Sequence, residues 1–324
     1  MTITRRILAI DGGGIRGLIP AAVLASLERA TGAPVARHFD LLAGTSTGAI
    51  LAGAAGAGFS GERLQALYRK RGPELFRQIP VVSLVKRIIA GHLYEVGDLR
   101  RIIAEELGDR ASWRINDVPN DVMVTAKGVD DGHQWYFVKD RQGEPPGRTG
   151  SLSLVDCVTA SAAAPTYFEP LEIAGIGPLV DGGVGVAGNP TYQACVEAFE
   201  YTAGYEPGST VVVSLGTGRF LGRRRPTWLW SWVEWVLGEM FRSPGEQQTE
   251  LVQRHYGAAR FYRVDVALPR DFPLDATGTA IDELAAIGER LAARIDWPAI
   301  LDGTDETFLV RAGDTRPEAY CRVV

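Results

Sequence analysis

The chain has 324 residues, of which 46% are hydrophobic and 23% charged, so it can bury a sizeable core and is not a disordered protein. Its 34 basic and 39 acidic residues give a formal net charge of −5, which argues against a partner made of nucleic-acid polymer. Three widely spaced cysteines fit neither a disulfide framework nor a cluster of metal ligands. No apolar stretch is long enough for a signal peptide or a membrane span, so we expect a cytoplasmic protein.

Strands and helices are predicted to alternate along the whole chain. Residues 6–10 are predicted to form a short buried strand, and residues 18–30 a helix that tolerates Pro20 in its first turn. The apolar strand 39–43 leads through a glycine-bounded turn into an alanine-rich helix that ends near residue 57. Further helices are predicted at 62–71, 96–107, 154–162, 192–203 and 281–295, and further strands at 122–126, 135–138, 211–215 and 261–266. This alternation predicts an α/β fold, a three-layer αβα sandwich with a mainly parallel central sheet.

The turn at residues 44–48 has the sequence Gly-Thr-Ser-Thr-Gly, which matches the G-x-S-x-G pattern between a strand and a helix. In that context a tight turn presents the Ser46 hydroxyl, and Gly44 and Gly48 leave room for the sharp bend. The helix that starts at Thr47 supplies a positive dipole end and free N–H groups where negative charge would develop. The alternative is an ordinary strand-to-helix turn in which Ser46 or Thr47 caps the helix.

The glycine-rich loop at residues 11–17, Asp-Gly-Gly-Gly-Ile-Arg-Gly, has two interpretations. Gly12, Gly14 and Gly17 satisfy the dinucleotide-binding pattern G-x-G-x-x-G, but the acidic residue expected at the end of the second strand is missing. The same loop could instead offer backbone N–H groups to a substrate oxyanion.

A nucleophilic serine also needs a base, and the sequence offers histidines and aspartates. The four histidines, at positions 38, 92, 133 and 255, have no neighbouring motif and are interpreted as surface or structural residues. Asp181 follows an apolar segment that is predicted to be a strand, and Gly182 and Gly183 follow it directly. An aspartate before two glycines is equally compatible with a hairpin turn.

Taken together, these blocks resemble the patatin-like phospholipase family. The matching blocks are residues 11–17 (DGGGIRG), 44–48 (GTSTG), 160–170 (ASAAAPTYFEP), 181–183 (DGG) and 214–218 (SLGTG). The resemblance implies a phospholipase A or lysophospholipase in which Ser46 is the nucleophile and Asp181 its base. It also implies an oxyanion hole with the following members: Gly12, Gly13, Gly14, Ile15, Arg16 and Thr47. Gly17, Gly44, Gly48, Gly182 and Gly183 support these motifs, and no cofactor or metal is expected.

Other functions stay open beside this one. An oxidoreductase would need the missing ribose-binding acid, and an acyltransferase usually carries a serine-histidine pair, for which no partner is evident. The glycine-rich and serine blocks also resemble those of bacterial patatin-type phospholipases that cyclic nucleotides switch on in antiphage defence. A cyclic nucleotide activator is therefore an alternative form of the same activity.

One domain, 1–324, is expected, with a candidate lid or membrane-docking segment at 219–242. Residues 227–241 (TWLWSWVEWVLGEMF) are too apolar for an ordinary solvated helix and too short to span a bilayer, so they are predicted to lie in the membrane interface. The residues expected to contact phospholipid are Trp228, Trp230, Trp232 and Trp235, with Arg223, Arg224 and Arg225 against anionic head groups. A core helix or the interface of a homo-oligomer is the alternative.

Overall fold

The computed structural model describes residues 2–75, 91–140, 149–222, 226–311, 313–314 and 321–324. Its centre is a mixed sheet in which the strands run in the order β5-β6-β3-β2-β1-β7-β8-β9, with β4 also paired to β3. The strands are β1 (Arg5–Ile10), β2 (Leu41–Gly44), β3 (Asp121–Gly128), β4 (Gln134–Val138), β5 (Leu171–Ile173), β6 (Gly177–Asp181), β7 (Thr210–Leu215), β8 (Arg260–Val266) and β9 (Cys321–Arg322).

Helices cover both faces of this sheet. Within the described residues they are α1 (Leu18–Thr31), α2 (Thr47–Gly56), α3 (Gly61–Leu75), α4 (Val96–Leu107), α5 (Leu154–Ala162), α6 (Thr191–Val196), α7 (Leu229–Tyr256), α8 (Thr279–Ala292) and α9 (Trp297–Leu301). Successive side chains of β1 point to opposite faces, as in any strand. Leu8 and Ile10 join one buried core, whereas Ile7 and Ala9 join a second core with residues of α6 and α7. The predicted three-layer sandwich is confirmed.

The parallel strands bring two glycine-bounded turns to one edge of the sheet. β1 pairs in parallel with β2 on one side and β7 on the other, so that Ile10 lies opposite both Gly44 and Leu215. The loops that follow these strands therefore leave the sheet side by side. β6 runs antiparallel to β3, with Asp181 opposite Ala126. The last residue of β6 thereby reaches the same part of the sheet.

Several predicted boundaries differ from the structure. The helix predicted at 192–203 ends as an α-helix at Val196 and continues as a wider π-type turn to Tyr201. The aromatic segment is the start of a much longer helix, α7, which continues to Tyr256. The strands β4, β5 and β6 pair in antiparallel fashion. Short strands can join a sheet in either direction, so their apolar pattern did not reveal this.

The three cysteines lie far apart in the fold. Cys157 belongs to one core, Cys195 to the other, and Cys321 lies in β9 at the edge of the sheet. All three are free and buried. Burial raises the pKa of each thiol.

Candidate active site

Ser46 occupies a strained turn between β2 and α2. Its backbone has φ 57° and ψ −125°, in the region that side chains disfavour, and the residue is 5% exposed. A side chain at Gly44 would collide with the Gly48 carbonyl, and one at Gly48 would collide with the Ile10 carbonyl. Both glycines are therefore required by the close approach of the chain, and the geometry is that of a nucleophile elbow.

Asp181, at the end of β6, is completely buried next to this turn. Its Oδ1 accepts a hydrogen bond of 2.7 Å from the Gly183 N–H, whereas Oδ2 has no full hydrogen bond within the described chain. Burial raises the pKa of Asp181 to about 7, against the opposing effect of the Ser46 hydroxyl and the Gly183 N–H. The Ser46 hydroxyl is therefore close enough to Asp181 to favour the charged form of its carboxylate.

Two threonines and a serine, which sequence reasoning missed, fix this pair. The Ser46 N–H donates to Ser161 Oγ at 2.9 Å, and the Asp181 N–H donates to the carbonyl of Ala163 at 2.9 Å. The end of α5 therefore holds Ser46 and Asp181 together. The hydroxyls of Thr45 and Thr125 lie 2.7 Å apart beneath the turn. Thr125 and Ser161 are small polar residues inside mainly apolar segments, and this pattern is the signal by which the sequence could have indicated them.

The glycine-rich loop after β1 has only part of its N–H groups free. The N–H of Gly12 donates to Gly188 at 3.0 Å, that of Ile15 to Leu274 at 2.8 Å, and that of Arg16 to Gly13 at 3.2 Å. Among the described residues, none accepts from the N–H groups of Gly13 and Gly14. The Thr47 N–H, at the first position of α2, is likewise unused inside the helix. Of the predicted oxyanion-hole residues, Gly13, Gly14 and Thr47 thus have N–H groups that no described residue accepts from.

A buried ionic network supports the same loop from below. Arg263 of β8 donates to Asp11 Oδ1 at 2.9 Å and Oδ2 at 2.5 Å, and to Asp265 at 2.9 Å. Burial raises the pKa of Asp11 to about 6, although the Arg263 guanidinium opposes the rise. The hydroxyl of Thr217 donates to the Gly12 carbonyl at 2.8 Å. The block 214–218 is therefore a brace for the glycine loop.

An apolar cavity opens at Ser46. It encloses about 1140 Å³ of empty space, part of which is open to solvent, and Gly14, Ser46 and Thr47 line it. Much of the remaining wall comes from α3, α4 and α5, which contribute the apolar residues Leu64, Leu67, Leu99, Ile103, Leu154 and Val158. Such a space accepts a long apolar group whose reactive end lies at the serine.

The histidines lie elsewhere. His38 bonds to Thr31, and His255 to Tyr192. His92 Nδ1 lies 3.1 Å from Glu169 Oε2, and Glu95 lies near enough that the three side chains could share a metal ion. However, Glu169 also caps the first N–H of α4, where the positive helix end disfavours a cation. We assign no metal to this group.

The carboxylate of Asp40, the acid nearest to the second strand, already has hydrogen-bond partners within the protein. It accepts hydrogen bonds from the Arg5 side chain at 2.7 Å and from the Arg6 N–H at 2.8 Å. It therefore does not serve as the ribose ligand that a dinucleotide site requires. This observation weakens the oxidoreductase alternative.

The first turns of α7 carry an exposed aromatic face, formed by Trp228, Trp232, Trp235 and Val236. These side chains are 59%, 50%, 37% and 49% exposed, respectively. The rings of Trp232 and Trp235 meet edge to face, with centroids 5.7 Å apart. These positions are not core. Arg223, Arg224 and Arg225 lie outside the described residues, and so does the side chain of Trp230. No described helix is long and apolar enough to cross a membrane.

The chain is similar to several known proteins. Residues 8–194 match the family model described as patatin-like phospholipase, which confirms the resemblance seen in the sequence. A cGAMP-activated phospholipase of Vibrio cholerae is 29% identical over 89% of this chain and 90% of that protein. A protein of the same name from Pseudomonas aeruginosa is 33% identical over 66% of this chain and 62% of its own length. Among solved structures, VipD from Legionella pneumophila aligns with a TM-score of 0.45 at 12% identity, over 99% of this chain and 71% of that one.

Proposed function

The chain belongs to the patatin-like phospholipase family, and from this premise we propose that it hydrolyses carboxylic esters of membrane phospholipids at Ser46. The observation that carries the proposal is the strained Ser46 turn beside a fully buried carboxylate, Asp181, whose pKa burial raises to about 7. A carboxylate with this pKa is a competent base near neutral pH, whereas an ordinary aspartate is a poor one.

In the proposed reaction, Asp181 accepts the proton of the Ser46 hydroxyl as the oxygen attacks the ester carbonyl. The N–H groups of Gly13, Gly14 and Thr47 donate to the oxyanion of the tetrahedral intermediate. The protonated Asp181 then gives its proton to the departing alcohol, which leaves as a lysophospholipid or a glycerol-phosphate derivative. Asp181 then takes a proton from water, which attacks the acyl-serine, and returns that proton to the Ser46 oxygen as the bond to the acyl carbon breaks and the fatty acid is released.

Substitution of the pair tests this assignment. We expect Ser46→Ala and Asp181→Ala each to lower the turnover of a soluble ester by at least about a thousandfold, because the two groups act as one unit. The double variant should lose hardly more than either single variant. Substantial turnover by purified, folded Ser46→Ala protein would contradict the nucleophile assignment.

The finer proposal is that the aromatic face docks on a phospholipid bilayer. A bilayer is the expected partner of this face because the proposed substrate lies in a membrane. Tryptophan side chains also favour the interface between lipid and water. The same helix, α7, packs with its second half into the core, where Thr249 and Val252 are fully buried. The docked face would thus be rigidly attached to the catalytic part of the molecule.

A pair of substitutions tests docking. Trp228→Ala combined with Trp232→Ala should reduce sedimentation with phospholipid vesicles and activity on them, while hydrolysis of a short soluble ester is spared. Tyr201→Ala is the matched control, because it also removes an exposed aromatic ring, which is 60% exposed and lies outside this face. Equal loss on both substrates would instead indicate a structural role, and altered sedimentation equilibrium would indicate a homo-oligomer interface.

A second candidate function is activation by a cyclic nucleotide in antiviral defence. The observation that favours it is the relative from Vibrio cholerae named cGAMP-activated phospholipase, which matches nearly the whole chain. Phospholipid hydrolysis should be assayed with and without a panel of cyclic dinucleotides that includes cGAMP. A hydrolysis rate that no member of the panel changes would reject this form of regulation.

The single domain over 1–324 and a cytoplasmic, membrane-peripheral location stay predictions.

A further inference from the structure

Three consecutive carbonyls in the loop after Asp181 bind three different parts of the molecule. The carbonyl of Val186 accepts from the Gln248 side chain at 3.1 Å, and that of Ala187 accepts from the Thr45 hydroxyl at 2.5 Å. The carbonyl of Gly188 accepts from the Gly12 N–H at 3.0 Å. We call Val186, Ala187 and Gly188 the carbonyl junction.

Each partner of the carbonyl junction belongs to an element with its own task. Thr45 immediately precedes Ser46, and Gly12 is the first glycine of the loop at residues 11–17. The N–H groups of the next two residues have no acceptor in the part of the chain that the structure describes. The loop that contains the junction begins at the residue after Asp181. The carbonyl junction therefore contacts both the Ser46 turn and the glycine loop, and it lies in the loop that follows Asp181, the proposed base.

The third partner, Gln248, belongs to α7, the helix that carries the aromatic face. Its side chain is 2% exposed, and it donates from this buried position to the carbonyl of Val186, whose own side chain is exposed. A second contact ties the same part of α7 to the catalytic frame, since Glu246 accepts from Arg219 at 2.7 Å. Arg219 directly follows the block that braces the glycine loop. A displacement of α7 would therefore also move the carbonyl junction.

We propose that Gln248 is a positioning residue that links the aromatic face of α7 to the catalytic groups through the carbonyl junction, so that docking on a membrane raises turnover. The inference rests on the proposed ester hydrolysis and on the docking of the aromatic face. The physical basis is that loss of the Gln248 hydrogen bond removes a direct contact between α7 and the carbonyl junction, which loosens the loop that contacts Thr45 and Gly12 and continues from Asp181.

The test separates docking from hydrolysis by using a soluble short-chain ester as reporter and vesicles of a dialkyl-ether phosphatidylcholine as surface. The ether bonds resist hydrolysis, so any change in reporter kcat comes from docking alone. For the wild-type protein we expect the vesicles to raise kcat and to leave KM nearly unchanged. Gln248→Met should sediment with the vesicles as wild type does, but should lose the rise, with a kcat roughly fivefold below that of docked wild type.

Gln247→Met is the matched control, because Gln247 is the exposed neighbour on the same helix. It should behave as wild type. Gln248→Asn keeps the amide but shortens the side chain, so it provides a second variant if Gln248→Met does not fold, and the same loss is expected.

The outcomes distinguish the separate ideas. A full rise of kcat in folded Gln248 variants, or vesicle-bound wild type with no rise, would overturn the coupling. Failure of the wild-type protein to sediment with vesicles would overturn the coupling together with docking, while turnover of the soluble ester would stand. Reporter turnover that survives Ser46→Ala would reject the proposed function itself.

Discussion

The carboxylate of Asp181 has its charge stabilised by few groups. Burial raises its pKa to about 7, and the groups that oppose the rise are the Ser46 hydroxyl and the Gly183 N–H. Ionisation near neutral pH is therefore possible but costs free energy. Such tension between function and stability is common where a catalytic group is desolvated.

Turnover should accordingly depend on pH through Asp181. Because the base must be ionised, kcat/KM for a soluble ester should rise with pH through an apparent pKa of about 7. A profile measured between about pH 5 and pH 9 checks this, given the ordinary range for aspartate. A flat profile down to the ordinary range of aspartate would contradict the assignment of Asp181 as base.

The stability of the folded protein should instead decrease as the pH rises. Because folding raises the pKa from 3.8 to about 7, the folded protein holds this proton more tightly, and stability falls as the pH rises between these values. At pH 8 the charge then costs on the order of 4 kcal/mol. We expect inactive Asp181→Asn to unfold at a higher temperature than wild type at pH 8, with the difference shrinking toward pH 4. Thermal unfolding of both proteins at each pH measures this.

The backbone of Gly14 is a second demanding position at this scale. Its φ is 57°, and a side chain there would collide with the carbonyl of Leu274. We expect Gly14→Ala to reduce kcat by roughly a hundredfold, because the loop must shift and move its oxyanion donors. Gly32→Ala is the control, since Gly32 has φ 70° but open space around it. It should lower stability by about 1 kcal/mol and leave kcat unchanged.

At the scale of elements, the units around the site could be predicted because their signals are local. The apolar strand 39–43 with its two bounding glycines predicts a strand, a sharp turn and a helix, and β2 and α2 confirm them. The direction of β6 could not be predicted, since an apolar run contains no information about its partner. The contacts of Ser161 and Thr45 depend on residues far apart in sequence, and no local pattern reports them.

The helices α3, α4 and α5 form much of the wall of the cavity, so their side chains should influence the acyl-chain preference. Ile103 is 7% exposed and lines the cavity. We expect Ile103→Phe to reduce kcat/KM for long-chain esters by about tenfold, because the larger ring fills space that the chain needs, and to spare short-chain esters. Gly97→Ala, on the same helix with no neighbour within 4 Å, is the control. Equal effects on all chain lengths would place the acyl chain elsewhere.

At the scale of the whole molecule, the catalytic loop depends on residues beyond the segment that matches the family model. That match ends at residue 194, whereas Arg263 and Asp265 come from β8. The sequence pattern placed a strand at 261–266 but gave no sign that its arginine reaches Asp11. A buried arginine acquires its meaning only from its partners in three dimensions.

Arg263→Lys should expose this dependence. A lysine retains the charge but cannot bind Asp11 through two parallel bonds while also reaching Asp265. We expect kcat to fall by about tenfold or more with a smaller effect on KM, since the loop is proposed to bind the oxyanion and not the resting ester. Arg260→Lys, on the same strand, should leave both constants unchanged. An increase in KM with an unchanged kcat would instead indicate a role in substrate binding.

The buried, protonated thiols have a practical consequence for observing how this molecule opens. Cys157 and Cys195 lie in the cores on opposite faces of the sheet, and Cys321 lies at its edge. A thiol reagent reaches such groups only when the surrounding layer separates, so each labelling rate reports the opening free energy of one layer. Three single-cysteine proteins would therefore show which layer opens first, and whether a membrane surface or a nucleotide changes that order.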